Sequence, residues 1–135
     1  MAENKLIIYT DGGARGNPGP AAIGVVINSE GFRDYIGETT NNVAEYRAVV
    51  EALRYVRSSV QAQAKVELIT FFLDSNLVVQ QLNGRFKVKE PKLRELLAQI
   101  RILEQEVGSV IHYHLVPREQ NTRADFLVNQ ALDLG

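Results

Sequence analysis

Among the sixteen acidic residues of this 135-residue chain, Asp11, Glu45, Asp74 and Asp125 each fall where an apolar segment gives way to a turn or where a helix begins. Acids gathered at one place repel unless some protonate or a cation neutralises them. The chain has no cysteine, which excludes thiolate zinc and iron–sulfur sites, so an oxygen-ligated Mg²⁺ or Mn²⁺ is the better match. Two such ions about 3.5–4 Å apart on carboxylates form the arrangement that cleaves phosphodiesters in line, one activating a water and the other stabilising the departing oxygen. Taken singly, each acid also has an ordinary structural use. Asp11 precedes Gly12-Gly13 and could shape a turn, Asn42-Val-Ala-Glu45 fits a capping box, Asp74 fits an N-cap, and Asp125 suits the positive end of a helix.

Whether the four acids meet depends on the elements that carry them. Lys5 to Thr10 reads as a strand stopped by Asp11-Gly12-Gly13, and Ala21 to Asn28 and Phe32 to Glu38 read as two more, joined by a hairpin at Asn28-Ser-Glu-Gly31. Tyr46, Val49, Val50, Leu53 and Val56 recur at helical spacing from Asn42 to about Ser58, with Gln61 to Ala64 as the exit loop. Val66 to Leu73 is a nearly continuous β-branched and aromatic run, expected to be a central strand buried on both faces. Asp74-Ser75 then caps a short helix to Leu82, and Pro91 starts a longer one to about Glu106 that Gly108 stops. Val110 to Val116 is the last strand, and Asn121-Thr122 caps a final helix to about Leu132. This order predicts one α/β domain over residues 1–135, with a mixed five-stranded sheet in the order 3-2-1-4-5 and strand 2 antiparallel. Asp11 and Asp74 then share the sheet's carboxyl edge, while Glu45 and Asp125, in first helical turns, point inward toward them.

A composition of 45% apolar residues suits one compact core, and no apolar run approaches a membrane span, so a cytoplasmic location is expected. The net charge of −1 is not that of a general nucleic-acid binder. Between Arg85 and Arg101, however, six basic residues face two acidic ones, either a solvated helix face or a local patch for phosphates.

Four stretches carry a resemblance: Tyr9-Thr-Asp-Gly-Gly-Ala-Arg-Gly-Asn-Pro-Gly-Pro20, Thr40-Asn-Asn-Val-Ala-Glu-Tyr46, Leu73-Asp-Ser75 and Asn121-Thr-Arg-Ala-Asp125. In order and spacing they resemble the acidic motifs of the type 1 ribonuclease H family over roughly Lys5 to Leu132. The resemblance implies hydrolysis of the RNA strand of an RNA/DNA hybrid to 5′-phosphate and 3′-hydroxyl ends. Asp11, Glu45, Asp74 and Asp125 would be the ligands of two Mg²⁺ (or Mn²⁺) ions with substrate bound. By motif position, Asn41 and Asn42 are candidates to read the 2′-hydroxyl, Asn17 and Thr40 to meet backbone phosphates, and Arg15 to add charge; helix capping and loop structure are their other uses.

The chain departs from the longer members in two ways. Their basic handle is missing, since Leu82-Asn-Gly-Arg-Phe-Lys-Val-Lys89 runs almost directly into the next helix. Lys87, Lys89 and Lys92 are candidate substitutes, with Phe86 offering an apolar face to the DNA strand. The loop histidine before the last acidic motif is also absent, and Arg118 is the candidate replacement, able to hold a phosphate but not to act as a base. His112 and His114 read as packing residues. A monomer without an obligatory protein partner is expected, as is low processivity, because the chain starts at the first catalytic strand. The competing readings are a non-catalytic hybrid- or RNA-binding module and a related nuclease acting also on double-stranded RNA.

Overall fold

The computed structural model describes residues 4–59 and 66–135; residues 1–3 and the exit loop expected over 61–64 lie outside them. Strands β1 (Lys5–Ala14), β2 (Gly19–Ile27) and β3 (Glu30–Thr39) form a meander. After it come α1 (Asn41–Ser59), β4 (Leu68–Leu73), α2 (Asn76–Leu82), α3 (Pro91–Val107), β5 (Val110–Leu115) and α4 (Thr122–Leu134). The sheet order is β3-β2-β1-β4-β5, parallel between β1 and β4 and between β4 and β5, as the sequence leads one to expect. Helix ends follow local chemistry. The Ser75 hydroxyl accepts the Val78 N–H at the start of α2, Pro91 lies in the first turn of α3, and Gly108 ends α3 at φ 76°.

The sheet is covered unequally. On one face α1 and α3 bury Ile8, Ile23, Val25, Ile69, Phe71 and Leu73 in the main core, each fully buried large side chain contributing about 1.5–3 kcal/mol. On the other, α4 packs over β2, where Ala22 meets Val128 and Ala131. That second face of β4 is only half-buried, contrary to the expectation of a strand enclosed on both sides. Here α4 does not reach, and Tyr9, Phe72 and His114 form a ring series with centroids 5.0 and 5.8 Å apart. Among the described residues no helix is long and apolar enough to cross a membrane.

Two glycines set how closely the helices approach. A Cβ on Gly12 would lie 2.3 Å from the Ala44 carbonyl and 2.5 Å from the Glu45 nitrogen, and one on Gly24 would lie 2.3 Å from the Ala124 oxygen. Asp11-Gly12-Gly13 is therefore not the turn expected. β1 continues through it to Ala14, with Asp11 opposite Gly24, because the glycines serve close packing of α1 and α4 against opposite faces.

Candidate active site

Parallel pairing of β1 with β4 reaches Tyr9 opposite Phe72, so Asp11 and Asp74 come level two residues farther along each strand. α1 starts directly against Gly12 and delivers Glu45 to the same place. One carboxylate oxygen from each of Asp11, Glu45 and Asp74 lies within 4.8 Å of the others. Asp125 occupies the first turn of α4 and is within hydrogen-bonding reach of Asp11. As expected it faces the other acids across the cleft, but it is exposed to solvent and stands outside that tight group of three. The cleft holds about 360 Å³ and is also lined by Arg15, Asn41 and Arg118.

The acids are not consumed by structure. α1 begins at Asn41 and is capped by the Thr40 hydroxyl, which accepts the Val43 N–H at 3.2 Å. The capping box from Asn42 to Glu45 does not form, and Glu45 Oε1 is shut off from solvent without a hydrogen-bond partner. Ser75, not Asp74, caps α2. Burial, then repulsion from Asp74 and Asp125, pushes Asp11 up to about 8. Burial, then Asp11 and Asp74, lifts Glu45 well above the carboxylate range, while the Arg118 charge and the Gly12 N–H oppose the rise. A half-buried cluster of acids with an orphaned oxygen fits hard divalent cations, and Asp11, Glu45, Asp74 and Asp125 are the residues that would hold them.

Asn121 has a role that the sequence reading missed. It occupies the N-cap position of α4 yet makes no side-chain cap bond. Its buried Nδ2 donates instead to the Thr10 carbonyl and to Asp74 Oδ2, both at 2.9 Å. It ties β1, β4 and α4 together and orients one acid. An asparagine before a threonine at a helix start signals a cap, and nothing local marks it as a bridge.

The other candidates divide. Asn17 Oδ1 accepts the Asn41 N–H at 2.9 Å, and Asn41 Oδ1 accepts the Ala14 N–H at 2.8 Å. Both acceptors are committed to structure, while among the described residues both Nδ2 groups stay free to donate. Asn42 is half-buried in the first turn of α1. Arg15 pairs with Asp133 at 2.8 Å, which offsets its charge at the cleft. Arg118, in a 3₁₀ turn from Arg118 to Gln120, is exposed and lines the cleft. Phe86, Lys87, Lys89 and Lys92 are exposed but do not line it, and Lys92 is held by Glu95 at 3.4 Å.

Residues 9–131 match the family described as reverse transcriptase-like. The chain is 41% identical over 136 residues to a bifunctional protein of Mycobacterium tuberculosis, of whose length it spans 36%. It is 32% identical over 150 residues to a ribonuclease H of an Acidovorax species, with 96% of both chains covered. Among solved structures, LC11-RNase H1, isolated from compost, is similar at a TM-score of 0.89 and 48% identity, covering 97% of each chain. The shared fold, and a relative aligned over almost its entire length, place this chain in the type 1 ribonuclease H family.

Proposed function

We propose that the protein is a metal-dependent endoribonuclease that hydrolyses the RNA strand of RNA/DNA hybrids. The observation that carries this reading is the meeting of three carboxylate oxygens within 4.8 Å, with Asp11 held largely protonated at neutral pH until a cation arrives. Support for the substrate comes from LC11-RNase H1, 47% identical over 96% of this chain, whose crystal structure is in complex with an RNA/DNA hybrid.

A pair of Mg²⁺ ions, or Mn²⁺, would supply a water of lowered pKa and stabilise charge on the departing oxygen. The chain's own residues do the rest. The four acids set where the scissile phosphate must lie, and Asn121 holds Asp74 in one orientation. The free amide groups of Asn17 and Asn41 donate to phosphate or 2′-hydroxyl oxygens, and Arg118, which also lines the cleft, adds charge for the phosphate. Water attacks phosphorus, the bond from phosphorus to O3′ breaks, and O3′ takes up a proton, leaving a 5′-phosphate and a 3′-hydroxyl. All four acids belong to one chain, so we take a monomer as the acting unit.

Labelled RNA/DNA, RNA/RNA and DNA/DNA duplexes incubated with Mg²⁺ and with Mn²⁺ test the reading. Cleavage of RNA in the hybrid is expected. Cleavage confined to DNA would refute it, and equal cutting of RNA/RNA would widen the substrate class.

A further inference from the structure

Tyr46 and Gln81 are buried polar residues that the cleft chemistry leaves unused. The Tyr46 hydroxyl donates to Gln81 Oε1 at 2.7 Å, and Gln81 Nε2 donates to the Lys87 carbonyl at 3.2 Å. A leucine at position 81 would bury more apolar surface with nothing to satisfy, so a buried glutamine needs a reason.

That reason lies in the segment it holds. After α2 the chain is pinned as far as Phe86, whose N–H, like that of Arg85, donates to the Gln80 carbonyl. From Lys87 to Lys89, among the described residues, no backbone-to-backbone hydrogen bond forms. Val88 packs against the core, Lys87 and Lys89 project into solvent without ion-pair partners among the described residues, and the Gln81 amide supplies the polar tie. The relay is rooted in α1 one residue after Glu45. The helix that carries a catalytic acid therefore also anchors the lysine-bearing segment.

We infer that Tyr46 and Gln81 are positioning residues for substrate binding, holding the Lys87–Lys89 strap in one conformation relative to the carboxylates, so that hybrid binding does not have to order it. This rests on the hybrid-cleaving reading above. A preset strap lowers KM and leaves the chemical step alone, because ordering costs fall on binding.

The test compares Gln81→Leu, Tyr46→Phe and the double variant Lys87→Ala with Lys89→Ala in the full chain. The readouts are kcat and KM on a labelled RNA/DNA hybrid with Mg²⁺ at several salt concentrations, together with limited trypsin digestion. For Gln81→Leu, KM should rise about five- to twentyfold with kcat within about twofold, and trypsin should cut faster after Lys87 and Lys89. Tyr46→Phe removes a single oxygen and should shift both readouts in the same direction by about two- to fivefold. It decides the matter if Gln81→Leu does not fold. The lysine double variant should raise KM and flatten its salt dependence. If the lysine variant does so while both relay variants keep wild-type KM and digestion, the relay is overturned and the strap stands. An unchanged KM in the lysine variant overturns the strap and the relay together. A wild-type protein that leaves the hybrid uncut defeats the underlying reading instead.

Discussion

The carboxyl edge of the sheet and the Lys87–Lys89 strap are built on opposite terms. The acids are fixed by backbone topology from β1, α1, β4 and α4, and two of them are held far from their ordinary ionisation. The strap's lysines are exposed, it lacks ladder hydrogen bonds among the described residues, and it is held by Val88 against the core and by one side-chain relay. Rigid framework goes to the place where sub-ångström placement matters, at the expense of local stability. On the proposed function the strap has only to present charge to a long duplex, for which a light tether suffices. Perturbing the first region should therefore change chemistry and stability together, whereas perturbing the second should change affinity alone.

Asp11→Asn makes the largest break. Cleavage of the hybrid should fall by about 10³ or more, roughly 4 kcal/mol of barrier, with hybrid binding retained because the groups proposed to grip the duplex are untouched. Loss of binding in parallel with activity would deny Asp11 a chemical role. The same substitution sharpens the second expectation, which concerns stability without cations. Asp11 binds its proton up to about pH 8 in the folded chain against an ordinary value of 3.8. Between those pH values the folded state holds more protons than the unfolded state. The stabilisation is thus fully present below about pH 4 and lost as pH rises through about 8. In chelator, melting temperature should fall from pH 5 to pH 8, reflecting on the order of a few kcal/mol. Mg²⁺ should cancel much of that fall, and Asp11→Asn should flatten it. A wild-type melting temperature that stays level in chelator would contradict the strained cluster.

Asn121→Ala should cost less, about ten- to a hundredfold in kcat, by analogy with other groups that orient metal ligands. KM should change little, since the side chain lies beneath the cleft and not on it. Asn121 also marks where sequence reading stops. Strand order, helix starts at Ser75 and Pro91, and the approach of Asp11 to Asp74 follow from local pattern and from the handedness of crossovers. The amide of Asn121 reaches Thr10 across 111 residues, and Tyr46 reaches Gln81 across 35. No period or spacing reports such pairings. Gly12 misled in a related way. A glycine signals a turn when its backbone freedom is used, but here its missing side chain is used, and only the packed helices reveal that.

Arg118 should produce the smallest effect, because its exposed guanidinium works through a screened environment. Its charge lowers the proton affinity of Glu45, so Arg118→Ala should leave Glu45 still harder to ionise and move the rise of activity with pH to higher pH. Two contributions then separate. If Arg118 also holds the phosphate, kcat should fall about five- to tenfold at the pH optimum, and Arg118→Lys should restore part of it by keeping the charge while losing the planar fork. A change in the pH profile alone would make Arg118 an electrostatic neighbour of Glu45. A kcat within about twofold and an unmoved profile would assign it to the structure of the 3₁₀ turn.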